Sequence, residues 1–173
     1  MRHIISVLMQ NEAGALTRLT GLFSTRGYNI ESLNVAPTGD PTVSRLTLVT
    51  SGSDVTLAQI VGQMGKLVDV VSIYDMTLGE HYERELLLLK LKVSTGSYDD
   101  LMRIVNDAGG KVLDSAQSNF AMELVARPEQ LDAFITASKQ FARVLAVIRS
   151  GSVAAMKGEQ IHAHAMPKQK SSA

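Results

Sequence analysis

Short apolar runs rich in branched side chains alternate with apolar residues at helical spacing, and the whole alternation occurs twice along the chain. Residues 4–9 carry Ile4, Ile5, Val7, Leu8 and Met9, a strand pattern; past Asn11-Glu12-Ala13-Gly14 the spacing changes to Leu16, Leu19, Leu22 and Phe23, the stripe of an amphipathic helix. Gly27 is placed to end that helix, and residues 28–36, with Ile30, Leu33 and Val35, read as a strand. Pro37-Thr38-Gly39-Asp40-Pro41 reads as a turn into a further strand over 43–50, making a hairpin. Ser53-Asp54 offers a cap for a helix through Leu57, Ile60, Val61, Met64 and Leu67, and residues 68–76 close the unit as a strand.

After a polar hinge over 79–85 the order recurs without obvious identity. Residues 86–93 predict a strand, and Tyr98, Leu101, Met102, Val105 and Ala108 lie on one helical face behind Ser97, stopped by Gly109-Gly110. Two short strands over 112–117 and 120–125 are expected to meet at a two-residue turn, Ser118-Asn119. Pro128 suits a first helical turn ahead of Leu131, Phe134 and Ile135, and residues 144–148 supply the last strand. The pattern therefore predicts an α+β chain of two consecutive ferredoxin-like βαββαβ domains, antiparallel sheets with their helices on one face, over residues 1–78 and 79–158. Residues 159–173 are polar without an apolar period and read as a flexible tail.

Composition changes this picture little but excludes a good deal. At 173 residues with 45% hydrophobic and 20% charged, the chain is ordinary globular material, large enough for two small cores and unlike a disordered or collagenous sequence. Lys plus Arg and Asp plus Glu both number 17, so no global field draws in nucleic acid or an anionic membrane. There is no cysteine, hence no disulfide, thiolate nucleophile or thiolate metal site. No apolar run approaches the roughly 20 residues of a membrane helix, and the start is too short and too patterned for a signal peptide, so a soluble cytoplasmic protein is expected. Domains this small, with apolar edges and an uncovered sheet face, are expected to pair with a second copy.

Catalytic candidates are few. The phosphate loop, the nucleophile elbow and the zinc helix motif are all missing. His3, His81, His162 and His164 are scattered, and Glu80, Glu83 and Glu85 beside Arg84 read as a solvated charge run in the hinge. The segment Asn11-Glu12-Ala13-Gly14-Ala15-Leu16 differs because it joins a strand to a helix start. A helix beginning near Gly14 leaves the amides of Gly14, Ala15 and Leu16 without intrahelical acceptors, at the positive end of the dipole, where a ligand carboxylate is favoured. Asn11 could hold an ammonium group beside it or simply cap the helix; spacing alone leaves both readings open. Asn29 and Asn34, polar in the second strand, are either ligand contacts or ordinary edge positions.

The strings Asn11-Glu12-Ala13-Gly14-Ala15-Leu16, Gly21-Leu22-Phe23-Ser24, Arg26-Gly27-Tyr28-Asn29-Ile30-Glu31-Ser32-Leu33 and Val35-Ala36-Pro37-Thr38 resemble the small regulatory subunits of bacterial acetolactate synthase. The likeness continues through Gln59-Ile60, Lys66-Leu67-Val68-Asp69-Val70, Leu131-Asp132-Ala133-Phe134 and Arg149-Ser150-Gly151, and covers essentially residues 1–160. Asn34 departs from the Thr that many relatives carry there, and the tail after Gln160 matches nothing. The resemblance implies an N-terminal ACT domain, a homodimer, no catalysis and no cofactor on this chain, and a large catalytic subunit that uses thiamine diphosphate, Mg²⁺ and FAD. It implies activation of that subunit and feedback inhibition by valine or another branched-chain amino acid. The effector would sit between two ACT domains, with Asn11, Gly14, Ala15 and Leu16 from one chain and Asn29 and Ile30 from its partner; Asn34, Ala36 and Gln59 are further candidates. A standalone amino-acid-sensing ACT protein acting on another enzyme or on transcription is the competing reading, but a DNA-binding regulator needs a basic reading element that this sequence lacks. A small ferredoxin-like enzyme needs a convergent acid/base set, also missing.

Overall fold

The structure is a computed structural model that describes residues 1–158. The tail expected over 159–173, with His162 and His164, lies outside the described residues. Two compact units emerge: Met1–Tyr82, joined by residues 152–158, and Glu83–Gly151. The grouping of residues 152–158 with the first unit is a feature that the division at residue 79 did not contain.

The first unit runs β1 (Arg2–Gln10), α1 (Ala15–Arg26), β2 (Ser32–Pro37), β3 (Val43–Ser51), α2 (Asp54–Met64) and β4 (Val70–Asp75), with sheet order β2-β3-β1-β4, all antiparallel. Strand alternation places Ile5, Val7 and Met9 of β1 with Leu46 and Leu48 of β3 on one face, where Ala15, Leu19 and Phe23 of α1 and Leu57, Ile60 and Met64 of α2 complete a single core. Both helices therefore share one face of the sheet. The second unit repeats the plan with β5 (His81–Val93), α3 (Tyr98–Asp107), β6 (Lys111–Asp114), β7 (Phe120–Ala126), α4 (Pro128–Ser138) and β8 (Ala142–Arg149) in the order β6-β7-β5-β8. Leu87, Leu89, Leu91 and Val93 of β5 meet Leu101 and Val105 of α3 and Leu131 and Phe134 of α4 in its own core. Within each unit the first strand is central and the third lies beside it, which is the same ferredoxin-like permutation twice. A last strand, β9 (Val153–Met156), pairs with β5 and was not anticipated.

Several boundaries move for identifiable reasons. The second strand starts at Ser32 rather than residue 28. Gly27, at φ 70°, ends α1 and turns Tyr28 back, so that its amide donates to the Phe23 carbonyl (3.0 Å) and the two rings stack edge to face at 6.1 Å. Asn29 and Ile30 consequently precede the strand instead of lying in it. The expected hinge is also largely strand: residues 81–85 open β5, with Glu83 and Glu85 pointing inward and Tyr82 and Arg84 outward. Glu85 tolerates this because its carboxylate accepts from Arg149 Nη2 (2.6 Å) and the Gly151 amide (3.1 Å). Between β6 and β7 the expected two-residue turn is longer, closed by Asp114 Oδ1 accepting the Ala116 amide and by the Asn119 amide donating to the Ala116 carbonyl. Ser97 stands before α3 but makes no side-chain cap, whereas Ser53 accepts the Thr56 amide at 3.2 Å as expected.

Leu19 is fully enclosed in the first core and Val55 is mostly exposed on α2. Leu19→Ala is expected to cost about 2–5 kcal/mol in chemical denaturation. Val55→Ala should stay within about 0.5 kcal/mol. Equal shifts for the two variants would refute the placement of the core.

Candidate functional site

The turn from β1 into α1 is pinned from two sides. The Gln10 amide donates to the Asp69 carbonyl (2.8 Å), the Asn11 amide to the Thr42 carbonyl (2.8 Å), and Asn11 Nδ2 to the Pro41 carbonyl (3.0 Å). Asn11 is thus fastened to the β2–β3 turn and does not cap the helix. That turn is itself braced by Asp40, whose Oδ1 accepts from the Thr42 amide (2.9 Å) and hydroxyl (2.7 Å). The Thr42 hydroxyl above all, then its amide, holds the Asp40 carboxyl below its ordinary value of 3.8.

The helix starts at Gly14, which sits at φ 85°, ψ −12° with no side-chain cap; this left-handed conformation is open to glycine at little cost. The Ala15 amide donates to the Glu12 carbonyl (3.2 Å) and the Arg18 amide to the Gly14 carbonyl (2.9 Å). The Ala15 amide has no acceptor within the helix but is taken up by Glu12 ahead of it, so the first-turn amides left for a ligand are those of Leu16 and Thr17. No acidic side chain stands in the first turn of α1. A guanidinium does reach it: a Cβ built on Gly14 would lie 3.0 Å from Arg18 Nη1. Arg18 is oriented by a two-pronged pair with Asp69, Nε to Oδ2 and Nη2 to Oδ1, both 2.7 Å, in which the Asp69 side chain is 3% exposed and that of Arg18 47%. The hydrogen bond to Asp69 is the main cause that raises the Arg18 pKa, against a smaller lowering by burial. This pair escaped the sequence reading; its available signal was one acidic residue inside the apolar stretch Leu67-Val68-Asp69-Val70.

The expected site residues fall into groups. Asn11, Gly14, Ala15 and Leu16 stand together at this turn, Leu16 40% exposed and Ala15 packed in the core. Asn29 and Ile30 lie past the other end of α1, about 18 Å away for a 12-residue helix. There the Asn29 carbonyl accepts Thr50 Oγ1 (2.6 Å), Ile30 packs on the core, and Gln59 Oε1 accepts the Tyr28 hydroxyl (3.3 Å). Asn34 and Ala36 lie along β2, the sheet's edge strand, opposite Thr47 and Arg45. A single chain does not bring these groups together. Among the described residues no cluster of three or more His, Cys, Asp or Glu could hold a metal, and no helix is long and apolar enough to cross a membrane.

The depressed Asp40 carboxyl gives a direct check on the brace beneath Asn11. Because its folded value lies below the ordinary one, the bonded, ionised form persists at neutral pH and is lost only as pH falls through that lower value. The Thr42 amide resonance should titrate with a midpoint below 3.8; a midpoint at or above 3.8 would mean that the brace is not formed.

Known proteins agree with the architecture. Residues 5–72 match the family model described as AHAS small subunit-like ACT domain, and residues 84–158 the one described as small subunit of acetolactate synthase. The chain is 44% identical over 161 residues to the acetolactate synthase isozyme 3 small subunit of Escherichia coli K12, covering 93% of this chain and 99% of that protein. It is 42% identical to the acetolactate synthase small subunit of Haemophilus influenzae, covering 92% and 98%. The crystal structure of the acetolactate synthase small subunit from Thermotoga maritima superposes with a TM-score of 0.81 at 28% identity, over 91% of this chain and 98% of that one. Identity at this level over nearly the full length of both chains, on the same doubled fold, shows that the chain belongs to the acetolactate synthase small-subunit family.

Proposed function

We propose that this regulatory subunit activates a cytoplasmic catalytic subunit carrying thiamine diphosphate, Mg²⁺ and FAD, and imposes on it feedback inhibition by valine or a related branched-chain amino acid. The observation that carries the effector site is the Gly14 turn. Two unpartnered amides, Leu16 and Thr17, stand at the positive end of α1 with no acidic side chain in the first turn; Arg18, paired with Asp69 and within reach of Glu12's charge, keeps Nη1 beside Gly14. That combination suits a carboxylate. Leu16 offers apolar surface next to it, as an aliphatic amino acid requires.

The distance between the Gly14 group and the Asn29 group supports a pocket shared between two chains. Beta2 is an edge strand with Val35 and Ala36 exposed, so two copies joined along it would form one continuous eight-stranded sheet. A ligand held only by the dimer stabilises it by RT ln(1 + [L]/Kd), about 2.7 kcal/mol at a hundredfold excess. Effector binding then tightens the dimer, and by reciprocity the catalytic subunit alters effector affinity by the factor with which the effector alters assembly.

The direct test reconstitutes the chain with the purified catalytic subunit and follows acetolactate formation. Stimulation by this chain and its reversal by valine, leucine or isoleucine are expected; no change on addition of the chain would overturn the reading. Gly14→Asp should lower effector affinity at least tenfold in calorimetry while the fold persists, since the added carboxylate occupies the place of the effector's own beside Arg18. Unchanged binding would make the turn structural. Mixing Asn11→Ala with Asn29→Ala chains tests the sharing: a heterodimer retains one intact pocket and should recover half-stoichiometric binding, whereas equal impairment of every pocket would place the site within one chain.

A further inference from the structure

The sheet face of the first unit that lies opposite the helices divides into an apolar and a polar part. At one end Ile4, Val49 and Met76 are covered by Ala154 and Met156 of β9. The Ser152 amide is fastened there to Ser32 Oγ (3.1 Å), and Met156 packs so closely on Gly79 that a Cβ on that glycine would stand 2.7 Å from its Cε. The next two rows across the sheet read Asn34, Thr47, Ser6, Tyr74 and Ala36, Arg45, Leu8, Ser72. Seven hydroxyl, amide, guanidinium or methyl side chains thus surround one leucine, without a carboxylate among them.

Arg45 reaches across to the central strand, where Nη1 donates to Ser6 Oγ at 3.0 Å. Among the described residues no acidic group forms an ion pair with it. Two strands away in the same row, beyond Leu8, Ser72 is only 6% exposed and its Oγ has no hydrogen-bond partner. The enclosed hydroxyl without a partner is costly in the isolated chain, and the part-exposed Arg45 guanidinium has no counter-charge; a carboxylate entering over Leu8 meets both, accepting from the guanidinium and from Ser72 once its χ1 rotates.

We infer that these two rows form the docking surface for an acidic side chain of the catalytic subunit, with Arg45 as its anchor; this rests on the regulatory reading above. A second copy of this chain fits poorly. An isologous contact brings the same patch against itself, and the patch carries no acid to meet either Arg45.

The test measures the affinity of the full-length chain for the catalytic subunit at two salt concentrations. Arg45→Ala should lower it at least tenfold, Arg45→Glu further, and Ser72→Ala severalfold; the salt dependence of the wild-type chain should shrink in Arg45→Ala. A photo-reactive residue replacing Leu8 should cross-link to an acidic segment of the catalytic subunit, which keeps the inference testable even if an Arg45 variant fails to fold. Wild-type affinity in both Arg45 variants would overturn the docking surface while leaving the regulatory reading intact. Dissociation of the homodimer with undiminished affinity for the catalytic subunit would overturn it in favour of self-association. Absence of binding by the wild-type chain would instead refute the regulatory reading itself.

Discussion

The parity of β1 is the constraint on which the first unit rests. This strand is central, pairing with β3 along its whole length and with β4 over its second half, so its odd and even positions decide what every neighbouring element can do. Ile5, Val7 and Met9 require the two helices; Ile4, Ser6 and Leu8 define the opposite face. A slip of one residue would exchange the two sets and put Ser6 in the core. The register is held at its far end by backbone contacts that also build the candidate site: Gln10 to the Asp69 carbonyl and Asn11 to the Thr42 carbonyl. The turn that presents Gly14 is therefore positioned by the same alternation that packs the core, tied down by three hydrogen bonds from Gln10 and Asn11 to the Asp69, Thr42 and Pro41 carbonyls.

Much of this was legible because local and global preferences agree. The helical stripes of α1, α2, α3 and α4 and the apolar runs of β1, β3 and β5 each appear as period 3.6 or period 2, and Gly27 and Ser53 act where glycine and serine stop and start helices. The errors arise where a long-range partner overrides local character. Glu83 and Glu85 look like hinge residues because charge is normally solvated; Glu85 lies in a strand because Arg149, 64 residues away, and the Gly151 amide neutralise and saturate it. Tyr28 looks like strand because of its β-propensity, yet the ring prefers Phe23 and the chain bends for it. β9 has four residues and no pattern of its own; it exists because Ile4, Val49 and Met76 offer it an apolar floor.

The candidate site was legible as a place but not as a mechanism of positioning. Strand, glycine and helix start can be read in order from residues 4 to 23, whereas Asp69, which orients Arg18 at that helix start, is distant in sequence and falls in a loop before β4. Burying an aspartate there is unfavourable unless its partner is supplied with good geometry, and the two 2.7 Å bonds supply it. Glycine suits position 14 because it holds φ 85° at little cost and leaves the Arg18 guanidinium its place; a side chain there adds strain and displaces Arg18 Nη1.

The same reasoning separates the two faces of the sheet functionally. On the helix face the sheet is covered by α1 and α2 over the apolar core, and substitution of those core residues acts through stability. On the opposite face the apolar part is closed by the chain's own β9, so no hydrophobic drive remains there to recruit a partner. What remains is polar and unsaturated: a guanidinium bonded to one serine and an enclosed hydroxyl bonded to nothing. Contacts of that kind confer selectivity more than affinity, because a partner lacking the matching acid leaves both groups desolvated and unpaired. For the regulatory role proposed above, recognition of one enzyme is better served by such a surface than by an apolar one, whose hold would be insensitive to the partner's identity.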